Sequence, residues 1–406
     1  MTQRRKATRI PLPFSRSKLD QNAVGLVRRL QKAGFEAYLV GGCVRDLLLG
    51  FSPKDYDIST SAKPNQVRRL FRRSRLIGRR FRIVHVYAGR EIYEVSTFRA
   101  PPIGTDKNRD RAIRSDNEFG DLESDAFRRD FRVNALYLDP IAGEIVDWVG
   151  GMADIDARVL HSIGDPLERF PEDPIRVLRL IKFFRRLQLE PGKAEIAAAR
   201  DCAHRLSESA EPRVLEELFR LMSTGDMEGV WSDLDGLNTL PLILPEFVDW
   251  LKGKPEMLPR LLARFRALDH AIQDGAKPGY GFKLAILTGL FVEQELNPKT
   301  RQLRVREISQ VPAAVLGAIQ ARARIPRTSV SKAARILTAQ LRMDPPDWYK
   351  RRGSKGKRWN AELLIEQDCF PEALDYLRCR LEAEDRPLDL YDDWHEKALS
   401  LDQKGR

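Results

Sequence analysis

Cysteine is scarce in this chain: four in 406 residues, at positions 43, 202, 369 and 379, none at a metal-ligating spacing. That excludes a disulfide scaffold and points to reduced thiols in a cytoplasmic protein. Histidine is equally thin, with five residues and no cluster, which argues against a zinc site. No apolar run approaches the ~20 residues that a membrane helix needs. The opening MTQRRKATRIPLP is basic but has no apolar core, so it does not read as a secretory signal. Acidic residues are the minority charge: 58 against 70 basic ones, a formal net charge of +12. Such a balance fits a polyanionic partner without saying which.

Hydrophobic residues make up 42% of the chain, an ordinary globular share, and the length suggests two to four domains. Residues 19–33 carry Ala23, Leu26, Val27, Leu30 and Ala33 on one helical face, stopped by Gly34. Strand, short helix and strand follow to about residue 60. Pro64 then opens a basic amphipathic helix over 64–73. The alternating runs RIVHVYAG and EIYEVSTFR flank Gly89-Arg90 and predict a hairpin. Residues 100–118 are polar and without period, the pattern of a mobile loop. The segment 122–139 reads as a helix entering a strand, and EIVDWVGG closes the sheet. From about residue 154 the periodicity is helical nearly throughout. The fold class is therefore α+β: a mixed head over 20–153, a helical neck over 154–225 and a helical body over 226–406.

The densest chemistry lies at 38–60, YLVGGCVRDLLLGFSPKDYDIST. A short apolar run ends in Gly41-Gly42, a helical segment with Arg45 near its start follows, and Gly50 breaks it. Alone, Gly-Gly is a turn and Asp-x-Asp a solvated loop. Together they are more specific. In a strand, Asp55 and Asp57 would share one face, roughly 7 Å apart. Carboxylates so close repel unless a divalent cation lies between them. Glycines at a helix start offer bare N–H groups to phosphate, and Arg45 adds a charged donor. The set describes a site for Mg²⁺-bound nucleoside triphosphate.

This stretch resembles the opening signature of the class II nucleotidyltransferases, the family of tRNA CCA-adding enzymes and bacterial poly(A) polymerases. The resemblance implies a polymerase-beta-like head working through two metals. It implies that Asp55 and Asp57 hold Mg²⁺, and that Gly41, Gly42 and Arg45 meet the triphosphate of ATP.

Arg128-Arg129-Asp130-Phe131 with Asn134 reads in isolation as a surface ion pair, but RRDF-x-x-N is similar to the family's second motif. The resemblance gives Arg129 the triphosphate and Asp130 a place in the active site. Family members often carry Thr after the Phe; Arg132 stands here and should point outward. Glu94, between apolar neighbours in IYEVS, is costly to bury alone and is either a third metal ligand or an arginine partner.

EDPIRVLR (172–179) resembles the family's base-reading helix. Asp173 would accept from the amino group of A or C and Arg176 donate to the ring nitrogen, leaving G and U with unpaired charge. Arg179, one turn on, would reach base or phosphate. Asp173-Pro174 is equally a good helix start.

Two basic clusters suit RNA or triphosphate: Arg68, Arg69, Arg72, Arg73, Arg75, Arg79, Arg80 and Arg82, and then Lys350 to Arg358, which equally reads as a flexible loop. Leu76 to Val86 is similar to a signature of the bacterial poly(A) polymerase subgroup. Ile325-Pro326-Arg327 and the stretch from Gly356 to Leu377 resemble that subgroup more weakly. The expected activity is therefore template-independent AMP addition to RNA 3′ ends in the cytoplasm, with DNA and membrane not expected as partners and RNA-decay proteins left open. CCA addition to tRNA and an inactive RNA-binding relative are the alternatives.

Overall fold

The computed structural model describes residues 6–78, 82–100, 118–296, 310–346 and 361–404. Most of the expected 100–118 loop, Arg79, Arg80 and the basic stretch Lys350 to Arg358 lie outside the described residues. The chain divides into two compact units, residues 1–172 with 187–198, and residues 173–186 with 199–406.

The first unit is built on an eight-stranded sheet. Its strands are β1 (Thr8–Pro11), β2 (Ala37–Val40), β3 (Asp57–Thr60), β4 (Ser74–Ile77), β5 (Ile83–Ala88), β6 (Glu91–Thr97), β7 (Leu136–Asp139) and β8 (Glu144–Asp147). The order is β1-β8-β7-β2-β3-β6-β5-β4. β3 and β6 run parallel; the other neighbours in this sheet run antiparallel. β5 and β6 form the expected hairpin, with Ala88 opposite Glu91 across a turn that holds Gly89 at φ 62°.

Two strands of this sheet lie where no strand was expected. β1 precedes residue 20, the expected start of the head, and tolerates Pro11 because it is an edge strand. β4 takes over soon after the basic helix, which ends at Leu70 instead of 73.

Helix α1 (Gln21–Lys32) starts on Asp20, whose side chain accepts from the Ala23 N–H at 2.7 Å. Ala23, Val24, Leu26, Val27 and Leu30 are its buried face. α2 (Gly42–Leu48) connects β2 to the approach to β3. α3 is Pro64–Leu70 and α4 is Leu122–Phe127. Leu122 and Ala126 of α4 pack with Tyr38, Val40, Phe98 and Tyr137, covering one part of one sheet face. After β8, Asp147 accepts from the N–H groups of Val149, Gly150, Gly151 and Met152, which anchors the next helix, Gly151–Ala157. Gly151 is forced by close approach: a Cβ there would lie 2.4 Å from the Arg132 carbonyl oxygen.

The second unit is helical. Helices such as Ile175–Leu187, Met257–Gln273, Tyr280–Leu296, Arg327–Met343 and Phe370–Ala383 contribute to a large apolar core that includes Phe219, Phe265, Leu287 and Leu377. Ile325-Pro326 leads into the helix that begins at Arg327. Among the described residues no helix is long and apolar enough to cross a membrane. All four cysteines are buried and unpaired.

Candidate active site

The centre of the site is Asp57, the first residue of β3. It pairs in register with Val40 on one side and Glu94 on the other. Residues paired in register point to the same face, so Asp57 and Glu94 stand side by side. Burial pushes the Asp57 carboxyl up to about 6; Glu94 and Asp55 push the same way and Arg129 pulls against them. Asp55 therefore acts on Asp57 electrostatically, as the motif requires. It does so from the irregular segment before β3 and is exposed, not from within the strand.

Glu94 differs from expectation. Its side chain is 51% exposed, because β6 alternates and turns it toward solvent. Its contact is His85 Nε2 at 3.3 Å, not an arginine. The arginine-partner alternative is thus replaced by a histidine, and the acid's in-register neighbour is Asp57.

The residues fit a divalent cation. Three carboxylates concentrate negative charge that Arg129 offsets only in part. Among the described residues no group of three or more histidine, cysteine or acidic side chains is placed to hold a metal ion by itself. Mg²⁺ takes one or two carboxylates and completes its shell with water and phosphate, so an open set suits it.

Gly41 turns the chain from β2 into α2 with φ 74° and ψ −127°, a region closed to other residues. A Cβ at Gly41 would meet Arg129 Nη1 at 3.5 Å, and one at Gly42 would meet Arg45 Nη2 at 3.7 Å. The glycine pair is thus flanked by two guanidinium groups. Gly41→Ala fits the available space but not the backbone angle. It should lower unfolding stability by about 1–3 kcal/mol in a urea melt.

Arg45 is buried, with 4% of its side chain exposed. Its Nη2 donates to Asp46 at 2.6 Å and its Nη1 to Asn134 Oδ1 at 2.6 Å. Asn134 Nδ2 in turn donates to Asp130 Oδ1 at 3.2 Å, and the same oxygen accepts from the Phe131 N–H at 2.8 Å. Asp130 is buried and holds the Phe131–Asn134 turn behind the glycines. The structure gives both residues a framing position, joined through Asn134. Arg132 points outward as expected, 40% exposed and 3.7 Å from Asp154.

Arg129 is held by a residue that the motif did not single out. Asp125 is 1% exposed and accepts from Arg129 Nη2 at 3.0 Å, Arg128 Nε at 2.9 Å and the Tyr137 hydroxyl at 2.7 Å. Arg129 also reaches the Tyr137 oxygen at 3.1 Å and the Asn134 carbonyl at 3.3 Å. Burial would raise the Asp125 pKa, but Arg129, Arg128 and the Tyr137 hydroxyl outweigh it and hold the group at about 2. Asp125 precedes Arg128 and Arg129 by three and four positions, a helical ion-pair spacing legible in the sequence.

Asp173, Arg176 and Arg179 belong to the helical unit. Asp173 accepts from Arg213 Nη2 at 2.9 Å. Arg176 and Arg179 are half-buried on the helix Ile175–Leu187.

A glycine turn at the end of one strand and an acid row opening the next mark the sheet unit as the head of a nucleotidyltransferase. Residues 37–161 match the poly(A) polymerase head domain model. Poly(A) polymerase I of Salmonella typhimurium is 34% identical over 383 residues, 91% of this chain and 80% of that protein. The CCA-adding enzyme of Streptococcus gordonii is 35% identical over 242 residues, 59% of this chain and 58% of that one. The crystal structure of the Bacillus stearothermophilus CCA-adding enzyme in complex with CTP superposes with a TM-score of 0.63 at 28% identity, over 94% of this chain and 81% of that one. The chain belongs to the class II nucleotidyltransferase family, which holds the poly(A) polymerases and the CCA-adding enzymes.

Proposed function

We propose that this protein is a template-independent polynucleotide adenylyltransferase, extending RNA 3′ ends with AMP from ATP in cytoplasmic RNA processing. One observation carries the chemistry: Asp57, in register with Glu94 and under the charge of Asp55, lies within the electrostatic reach of the glycine-flanking Arg129. The choice of poly(A) over CCA addition is supported by the breadth of the match, 91% of the chain to a poly(A) polymerase against 59% to a CCA-adding enzyme.

Asp55 and Asp57 would hold Mg²⁺, with Glu94 beside them. The bound cation would supply Lewis-acid stabilisation of the α-phosphate and the leaving pyrophosphate. Arg129, fixed by Asp125 and Tyr137, presents its positive charge beside Gly41, where the triphosphate would lie. Arg45, Asn134 and Asp130 keep the glycine turn in shape. Asp173, held by Arg213, and Arg176 would read the Watson–Crick edge of the base, with Arg179 beside them. In this scheme residues 20–153 are the catalytic head, 154–225 the neck and 226–406 the RNA-holding body.

The rival reading, CCA addition, is favoured by the structural likeness to the CTP-bound CCA-adding enzyme. A non-catalytic relative is disfavoured because the acid set is intact. Two substrates separate the first two: a generic RNA primer and a tRNA lacking its terminal CCA, each given ATP or CTP alone. AMP ladders on the generic primer are expected. Efficient CMP addition to the tRNA would overturn the assignment.

A further inference from the structure

The register that places Glu94 beside Asp57 continues outward across the sheet. Glu94 pairs with His85, and His85 pairs with Arg75 on the edge strand β4. Asp57, Glu94, His85 and Arg75 therefore form one row on one face, on the order of 14 Å long at the usual strand spacing. A second row runs beside it, since Tyr87 pairs with Ile92 on the same face.

This part of the face is open. α4 covers the same face at Tyr38 and Tyr137, but Ile92 is 52% exposed, Glu94 is exposed, and His85 and Tyr87 are half-buried. On the opposite face Val84, Val86 and Val95 are buried. The open surface thus has an aromatic and an aliphatic side chain next to a histidine, a cationic edge and the acid site at its inner end. Arg75 is joined at that edge by the exposed Arg72, Arg73 and Arg82. A base can stack on Tyr87 and Ile92 while its phosphate lies against Arg75, the combination that binds single strands without sequence preference.

We propose that this outer face of β4, β5 and β6 is the platform for the last nucleotides of the acceptor RNA strand, leading its 3′ hydroxyl to Asp57. The proposal rests on the adenylyltransferase reading, and deepens it by naming where the primer lies. It also separates the two substrates spatially: the triphosphate on the glycine side of Asp57, the primer on the Glu94 side.

The test uses the full chain, with Arg75→Ala, the double variant Tyr87→Ala/Ile92→Ala, and Tyr87→Phe as the stacking-competent control. Thermal melts check folding, and anisotropy of a fluorescein-labelled single-stranded RNA reads binding in the absence of ATP. Loss of the stacking pair should raise the KM for RNA about tenfold or more, with the KM for ATP changed less than about twofold and Tyr87→Phe close to the parent. Arg75→Ala should lower the slope of log affinity against log salt by about 0.7. An unchanged KM for RNA, or an equal rise in the KM for ATP, would overturn the platform. If the parent protein adds no nucleotide to any RNA, the adenylyltransferase reading fails, and anisotropy then decides alone. Weaker RNA binding by the variants would sustain the platform and unchanged binding would remove it.

Discussion

Asp57→Asn should abolish nucleotide addition, by about a thousandfold or more, while making the metal-free protein more stable. The first effect follows from losing the central carboxylate of the site, where metal assistance contributes several kcal/mol to the transition state. The second follows from the charge arrangement. Burial, Glu94 and Asp55 push the Asp57 carboxyl up to about 6 from an ordinary 3.8, so its ionised form burdens the native state. That burden is absent below about pH 4, where the group is protonated folded or unfolded, and is full above about pH 6. At neutral pH the neutral amide should therefore raise the unfolding free energy by on the order of 1–2 kcal/mol, with no gain at pH 4. Mg²⁺ should raise the melting temperature of the parent and leave that of Asp57→Asn unmoved. Near-normal incorporation by Asp57→Asn would sink the metal assignment. A loss of activity with a collapsed melt would leave Asp57 a structural residue.

The second large effect belongs to Asp125, for the opposite reason. Its carboxylate is wanted in the fold, because Arg128, Arg129 and Tyr137 all converge on it and hold its pKa at about 2. The folded pKa lies below the unfolded one. The stabilisation is therefore fully present above about pH 4 and is lost as pH falls toward 2. Asp125→Asn should cost about 2–3 kcal/mol at neutral pH and almost nothing near pH 2, measured by urea unfolding at each pH. Arg129 loses its anchor at the same time, so the KM for ATP should rise by about tenfold. Unchanged stability and an unchanged KM for ATP would show that Arg129 is held by Tyr137 and Asn134 alone.

The contrast between these two aspartates shows what was legible in the amino-acid order. Gly41-Gly42 and Asp57 were legible because turn chemistry and strand alternation act within a few residues. The β5–β6 hairpin was legible for the same reason, a glycine between two alternating runs. What escaped depends on partners far along the chain. β1 finds its place by pairing Thr8 with Asp147, and no local signal in a Pro-containing basic stretch announces that. Glu94 looked buried because Ile92, Tyr93 and Val95 surround it in sequence. The sheet leaves Ile92 and Glu94 on its open face and buries Tyr93 and Val95 on the other. Asp125 stands at helical spacing from two arginines, but its third partner, the Tyr137 hydroxyl on β7, is supplied by the fold. Arg45 shows the same limit. Its position after the glycines was legible, but its bonds to Asp46 and to Asn134 on a distant segment were not.

The most direct measurement is incubation of the protein and its Asp57→Asn variant with one RNA primer and each of the four nucleoside triphosphates in turn, with and without Mg²⁺. Two charged neighbours on one sheet face, waiting for a cation, should yield a ladder with ATP and Mg²⁺ from the parent alone. Extension without divalent cation, or extension by the variant, would contradict that chemistry at its root.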